Sequence, residues 1–108
     1  MKTDYKFGEV HNLADQVEKG SDKVHFKGIF ETENGGISVL AFEKGQELTQ
    51  HIAPAEVMVY VLEGEIEFTM IDRPHNISAG EFLLIGTDVP HSVKALADSK
   101  VLVTKIKN

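Results

Sequence analysis

Apolar and polar positions follow two different rhythms along this chain, and the change comes near residue 24. Before it, Leu13 and Val17 fall on one helical face. Asn12 can cap that face, Asp15 sits three residues after it, and Gly20 can end it. This spacing predicts a short helix between Asn12 and Gly20. Beyond residue 24 the period shortens to that of strands. Residues 24–31 and 37–43 read as strands joined by a turn at Asn34-Gly35-Gly36. Lys44-Gly45 predicts another turn, and Leu48 to Ile52 a short strand that Pro54 interrupts. Glu56 to Glu63 is a Val-rich strand that Gly64 breaks. Ile66, Phe68 and Met70 then alternate with Glu65, Glu67 and Thr69, so one face is buried and the other wet. Asp72 to Asn76 predicts a turn. Glu81 to Ile85, His91 to Leu96 and Lys100 to Lys107 complete the strand set.

Short strands separated by Gly, Pro and Asn predict an all-β fold, an antiparallel sandwich or barrel. The pattern alone leaves open a jelly roll, an immunoglobulin-like sandwich and another barrel. At 108 residues the chain has room for one domain, taken as 1–108. A hydrophobic fraction of 42% is ordinary for a globular chain and too high for a disordered one.

Charge and composition remove several classes of function. The formal net charge of −6 opposes binding to nucleic acid and to anionic membrane surfaces. There is no cysteine, so disulfides and thiolate chemistry are excluded. The first ten residues, MKTDYKFGEV, have no apolar core, and a cytoplasmic location is expected. The longest apolar run, Val57 to Leu62, is far too short to span a bilayer. No Gly-x-Ser-x-Gly elbow, phosphate loop or dinucleotide fingerprint is present. Ser92 next to His91 makes no triad, because strand neighbours diverge. Glu63, Glu65 and Glu67 read as solubilising charges. His11, His25 and His75 read as solvated or locally bonded side chains, His75 because it follows Pro74 in the expected turn.

Two stretches carry a family resemblance. Gly45 to Glu65, GQELTQHIAPAEVMVYVLEGE, resembles the first sequence motif of the cupin superfamily, and Gly80 to His91, GEFLLIGTDVPH, resembles the second. Gly45, His51 and Gly64 fit the first motif, while Ala53 and Val57 stand where the family pattern has a second histidine and a glutamate. The resemblance covers about residues 37–107. It implies a jelly-roll barrel, a double-stranded β-helix, preceded by the short N-terminal helix. It also implies that His51 and His91 occupy two of the family's four metal-ligand positions. Two donors fall short of a catalytic zinc site or a facial triad. Glu56 could supply a third only if a bulge turned it inward, since strand alternation points it away from Val57's face.

In such a barrel Val57, Val59 and Val61 line the lumen together with His51, His91, Val93 and Ala95. The lumen is then either a small apolar ligand pocket or a core packed shut. The expected function is a non-catalytic binding or sensor module, since it lacks a full ligand set, holding an unidentified small molecule without a cofactor. The alternative is a metal-dependent cupin enzyme, a dioxygenase, isomerase or decarboxylase, using a divalent metal on His51 and His91. The same Val57 to Leu62 strand is apolar on its other face too. Met58, Tyr60 and Leu62 would form an exposed row unless residues 1–30 or a second subunit cover it. The resemblance favours a two-fold homodimer through that row.

Overall fold

The structure, a computed structural model, describes residues 2–107. Among the described residues nine strands follow one another in chain order. They are β1 (His25–Thr32), β2 (Gly35–Phe42), β3 (Glu47–His51), β4 (Glu56–Glu63) and β5 (Glu65–Met70). After these come β6 (Arg73–Ser78), β7 (Phe82–Ile85), β8 (His91–Ala95) and β9 (Ser99–Ile106). They form two antiparallel sheets, ordered β1-β2-β9-β4-β7 and β3-β8-β5-β6, whose inner faces enclose the lumen of a jelly roll. Among the described residues no helix is long and apolar enough to cross a membrane.

Period-two alternation fills the lumen. Val57, Val59 and Val61 of β4 are buried, and Val103 and Val101 of β9 stand opposite Val59 and Val61. Ile66 and Phe68 of β5 pair with Ala95 and Val93 of β8, all four buried. These rows meet in one apolar cluster, completed by Phe42, Ile77 and Ile85.

The chain passes from one sheet to the other through a single residue, Gly64, between β4 and β5. Its φ is 83°, a left-handed conformation that glycine adopts without cost. A Cβ there would lie 2.3 Å from the Asp98 carbonyl oxygen and 2.4 Å from Ser99 Oγ. The buried Ser99 hydroxyl staples this corner. It accepts from the Glu65 N–H at 3.1 Å and donates to the Ala97 carbonyl at 2.7 Å.

Two expectations require correction. The segment expected to form a helix is one 3-10 turn, Leu13–Gln16, whose Asn12 side chain makes no cap hydrogen bond. Val17 is already extended, with φ −144°, and is buried against Val39 and Ala41 on the outer face of the five-stranded sheet. So short a segment gains little from helix formation alone, and burying the β-branched Val17 decides its conformation. The Lys100 ammonium donates to the Ala14 carbonyl and fixes the segment to that sheet. The turn expected over Asp72 to Asn76 is instead mostly strand. Only Ile71-Asp72 turns, with φ of 49° and 61°, and β6 begins at Arg73. Two positive φ values in a two-residue loop are what a tight hairpin needs. Pro74 is tolerated because β6 is an edge strand.

The corner yields a prediction. Gly64→Ala lowers the unfolding free energy by about 3 kcal/mol, because it adds backbone strain and a clash with backbone atoms. Gly80→Ala has a similar φ of 90° but open space around it, and costs only about 1 kcal/mol. Urea unfolding of the two variants separates the effects; equal costs would remove Gly64 from its structural role.

Candidate functional site

A cavity of about 270 Å³ occupies one end of the lumen. Val57 and Val59 of β4, Val93 of β8 and Leu40 of β2 are among its walls. His51, His91, Ser38 and Lys105 are its polar lining. The opposite end is packed shut: Val61 and Ala95 are buried in the core cluster and do not reach the cavity. The lumen is therefore open at one end and packed shut at the other.

His51 reaches the cavity through a bulge. On β3, Leu48 pairs with Val93 and His51 pairs with His91, so Thr49 and Gln50 stand opposite Ser92 alone. Leu48 and His51 are three apart, and regular alternation would send them to opposite faces. The extra residue reverses the parity after Leu48, and both side chains line the cavity. Glu56 stays outside. It is exposed, beside buried Val57, and β4 keeps regular register with β9 from Glu56 to Val61.

The imidazoles of His51 and His91 lie 4.1 Å apart between centroids, edge to face. His91 is 7% exposed and stacks on Phe68 at 5.4 Å with an interplanar angle of 15°. Each Nδ1 lies 2.9 Å from the backbone carbonyl two residues earlier, Thr49 for His51 and Val89 for His91. A carbonyl can only accept, so each Nδ1 carries the proton and donates it. In the neutral rings this leaves both Nε2 atoms as lone-pair acceptors, the tautomer that can take a hydrogen bond or coordinate a metal.

The remaining ligand positions hold no donors. Ala53 is buried in the core cluster and Val57 is a wall of the cavity. Among the described residues, no group of three or more His, Asp or Glu side chains is arranged to hold a metal. The residues present do not fit a complete three- or four-ligand centre. The other histidines stay apart from the cavity. His11 stacks edge-on against Tyr5, and His25 bonds Asp22 at 2.9 Å and the Glu18 carbonyl at 3.1 Å. His75 lies on β6, not in a turn, 3.4 Å from the Phe68 carbonyl.

Sequence reasoning did not single out Ser38, Lys105 or Phe26. Ser38 and Lys105 fall on lumen-facing positions, opposite Val103 and Val57 respectively. Phe26 lines the cavity although 73% exposed, which places it at the mouth. The signal that could have found Lys105 is parity: it is two residues beyond Val103 on the same strand.

Outside the barrel, the row Met58, Tyr60 and Leu62 is half-buried. Leu62 packs beside Val17, Val39 and Ala41, so the N-terminal segment takes that end of the row. At the other end Tyr60 and Met58 adjoin Phe82 and Leu84 of β7, which are 60% and 66% exposed.

Burial holds the His91 pKa below its ordinary value, and positive charge on His51 and Lys105 pushes the same way against the Val89 hydrogen bond. A histidine with a depressed folded pKa binds its proton more weakly than the unfolded chain does. Stability is therefore lost as pH falls below about 6.5. In an NMR titration His91 will show a midpoint below that value. Denaturation between pH 7.5 and 5.5 will show a loss of stability that is smaller in His91→Gln. A His91 midpoint at or above 6.5 would contradict the assigned burial.

The cupin domain family matches residues 38–106. A conserved protein of unknown function from Streptococcus pyogenes superposes with a TM-score of 0.89 at 24% identity, over 100% of this chain and 96% of that one. An RmlC-like cupin from Desulfovibrio desulfuricans gives a TM-score of 0.82 at 35% identity, over 91% and 95% of the two chains. Protein SchB of Streptomyces halstedii is 33% identical over 66 residues, which is 60% of this chain and 48% of that protein. The chain thus spans about half the length of the curated relative it matches. With both cupin motifs on the walls of one jelly-roll lumen, the chain belongs to the cupin family.

Proposed function

We propose that this cupin is a binding module that holds a small molecule in the open end of its lumen. The observation that carries the reading is the 270 Å³ cavity, with apolar walls and a few convergent polar groups. Ligand sites have this composition, and the cavity is at the small end of their usual size range. Turnover is not part of the reading, because the donor set at His51 and His91 is half that of the family's metal centre. Native mass spectrometry of freshly purified protein tests it. A retained small molecule is expected, and Val59→Trp, which fills the cavity, should release it. Overpacking in that variant costs about 1–3 kcal/mol, so its folding is checked by circular dichroism. An empty wild-type protein that also binds nothing from a library of small acids, alcohols and sugars would overturn the reading.

One observation favours a second reading, a metal-dependent enzyme. Both imidazoles present Nε2 lone pairs from backbone-anchored rings only 4.1 Å apart between centroids. Elemental analysis separates the two. Near-stoichiometric iron, manganese, nickel or zinc, lost in a His51→Ala, His91→Ala double variant, would favour the enzyme.

The assembly proposed with this function is a two-fold homodimer through the β4–β7 side of the five-stranded sheet. Met58 and Tyr60, extended by exposed Phe82 and Leu84, supply its apolar centre. Sedimentation should give a dimer mass, and Tyr60→Glu with Leu84→Glu should give a folded monomer. A concentration-independent monomer in the wild type rules the dimer out.

A further inference from the structure

We infer that the lumen of this protein is built for a small organic anion, a monocarboxylate with an apolar body, whose carboxylate meets Lys105 and Ser38 at the mouth. The inference rests on the lumen-binding reading and names the class of molecule bound.

Charge distribution is the first support. The chain has 17 acidic residues against 11 Lys and Arg, yet no Asp or Glu lines the cavity. Lys105 is the one Lys or Arg among the lining side chains. Its ammonium makes no ion pair among the described residues, whereas Lys19 and Lys27 are paired with Asp98 and Asp4. The imidazoles do not supply a counter-charge. Their Nδ1 protons are committed to backbone carbonyls, and in the neutral rings Nε2 only accepts. Lys105 is therefore a cation at the edge of an apolar chamber that holds no carboxylate of the protein's own; Asp4 and Glu31 line the outer cleft instead. Lys105 is exposed at the mouth, so a ligand carboxylate gains a charge-assisted bond there while its apolar body meets the lumen walls.

The backbone around Lys105 leaves room for that carboxylate. Lys105 pairs across the sheet with Val57 on one side and Gly36 on the other. Ser38 follows Gly36 on the same lumen-facing row, and Gly28 of β1 stands opposite Ser38. Two residues next to the Lys105–Ser38 pair thus have no side chain. A Cβ on Gly28 would meet nothing within 4 Å, whereas one on Gly36 would lie 3.3 Å from the Phe30 carbonyl oxygen and 3.5 Å from Glu31 Cγ, so the notch is at Gly28. At this notch the lumen cavity joins an outer cleft, and Phe26, Ser38 and Lys105 line both. A carboxylate placed here can take a charge-assisted bond from Nζ and a second from the Ser38 hydroxyl. Its apolar body then points inward, between Val57, Val59 and Val93. The volume, room for about nine waters, suits a molecule the size of an arylacetic or short fatty acid.

Two isosteric probes test this: phenylacetate and phenylacetamide, titrated into isotope-labelled full-length protein and followed by amide NMR. Both should shift the Val57, Val59 and Val93 amides, with phenylacetate binding at least tenfold tighter. Lys105→Gln should abolish that preference, and Lys105→Arg should keep it. The Lys105 side chain is exposed, so both variants are expected to fold. Equal affinity of acid and amide in the wild type, or a preference that survives Lys105→Gln, overturns the anion inference and leaves lumen binding standing. If neither probe shifts the lumen amides, the inference falls together with the reading it rests on.

Discussion

The corner at Gly64 is the constraint on which the rest depends. A jelly roll needs one chain to serve two facing sheets, and here β4 and β5 do so with one residue between them. The turn is tight enough that only a residue without a Cβ fits beside the Asp98 carbonyl. Ser99 makes the tightness permanent, since its buried hydroxyl satisfies the Glu65 N–H at the point where ladder pairing is interrupted. Once the corner is set, parity does the remaining work. Val57, Val59 and Val61 face Ile66 and Phe68 across the lumen because β4 and β5 emerge from the corner in fixed register with β9 and β8.

Parity is broken at one functional position, and the break has a use. The bulge on β3 lets Leu48 keep its place in the apolar wall while His51, three residues on, turns in to meet His91. The polar groups of the lumen are thereby gathered at its open end, where desolvation is least complete. His51 and Lys105 are exposed there and His91 is not, although all three line the same cavity. Deeper in, Val61 and Ala95 close the barrel with apolar contacts alone.

Much of this was legible in the sequence, and what was not has physical reasons. The strand Glu56 to Glu63 was readable to the residue because alternate valines between two glutamates admit one register and one buried face. His51 and His91 were readable as partners through the cupin motifs, and they pair directly across β3 and β8. The N-terminal helix was not there because tertiary burial of Val17 outweighs a weak local preference. Strand β6 was hidden by Pro74 and Asp72, residues that signal a turn unless the strand lies at an edge. The β3 bulge has no glycine to mark it, so the reason His51 faces inward was not visible. Phe82 and Leu84 were masked because a short apolar run does not tell which face another strand will cover.

The half-complete donor set and the unpaired lysine belong to one physical arrangement. With Ala53 and Val57 at two of the family's ligand positions, the wall beside His91 is apolar. That apolar wall disfavours the imidazolium form of His91. It also removes the carboxylate that a complete ligand set would have placed near Lys105, which pairs with Val57 across the sheet. A glutamate at residue 57 would stand beside that ammonium and neutralise it. Valine there leaves the positive charge of Lys105 without a partner inside the lumen, and that is the arrangement on which the proposed anion site rests.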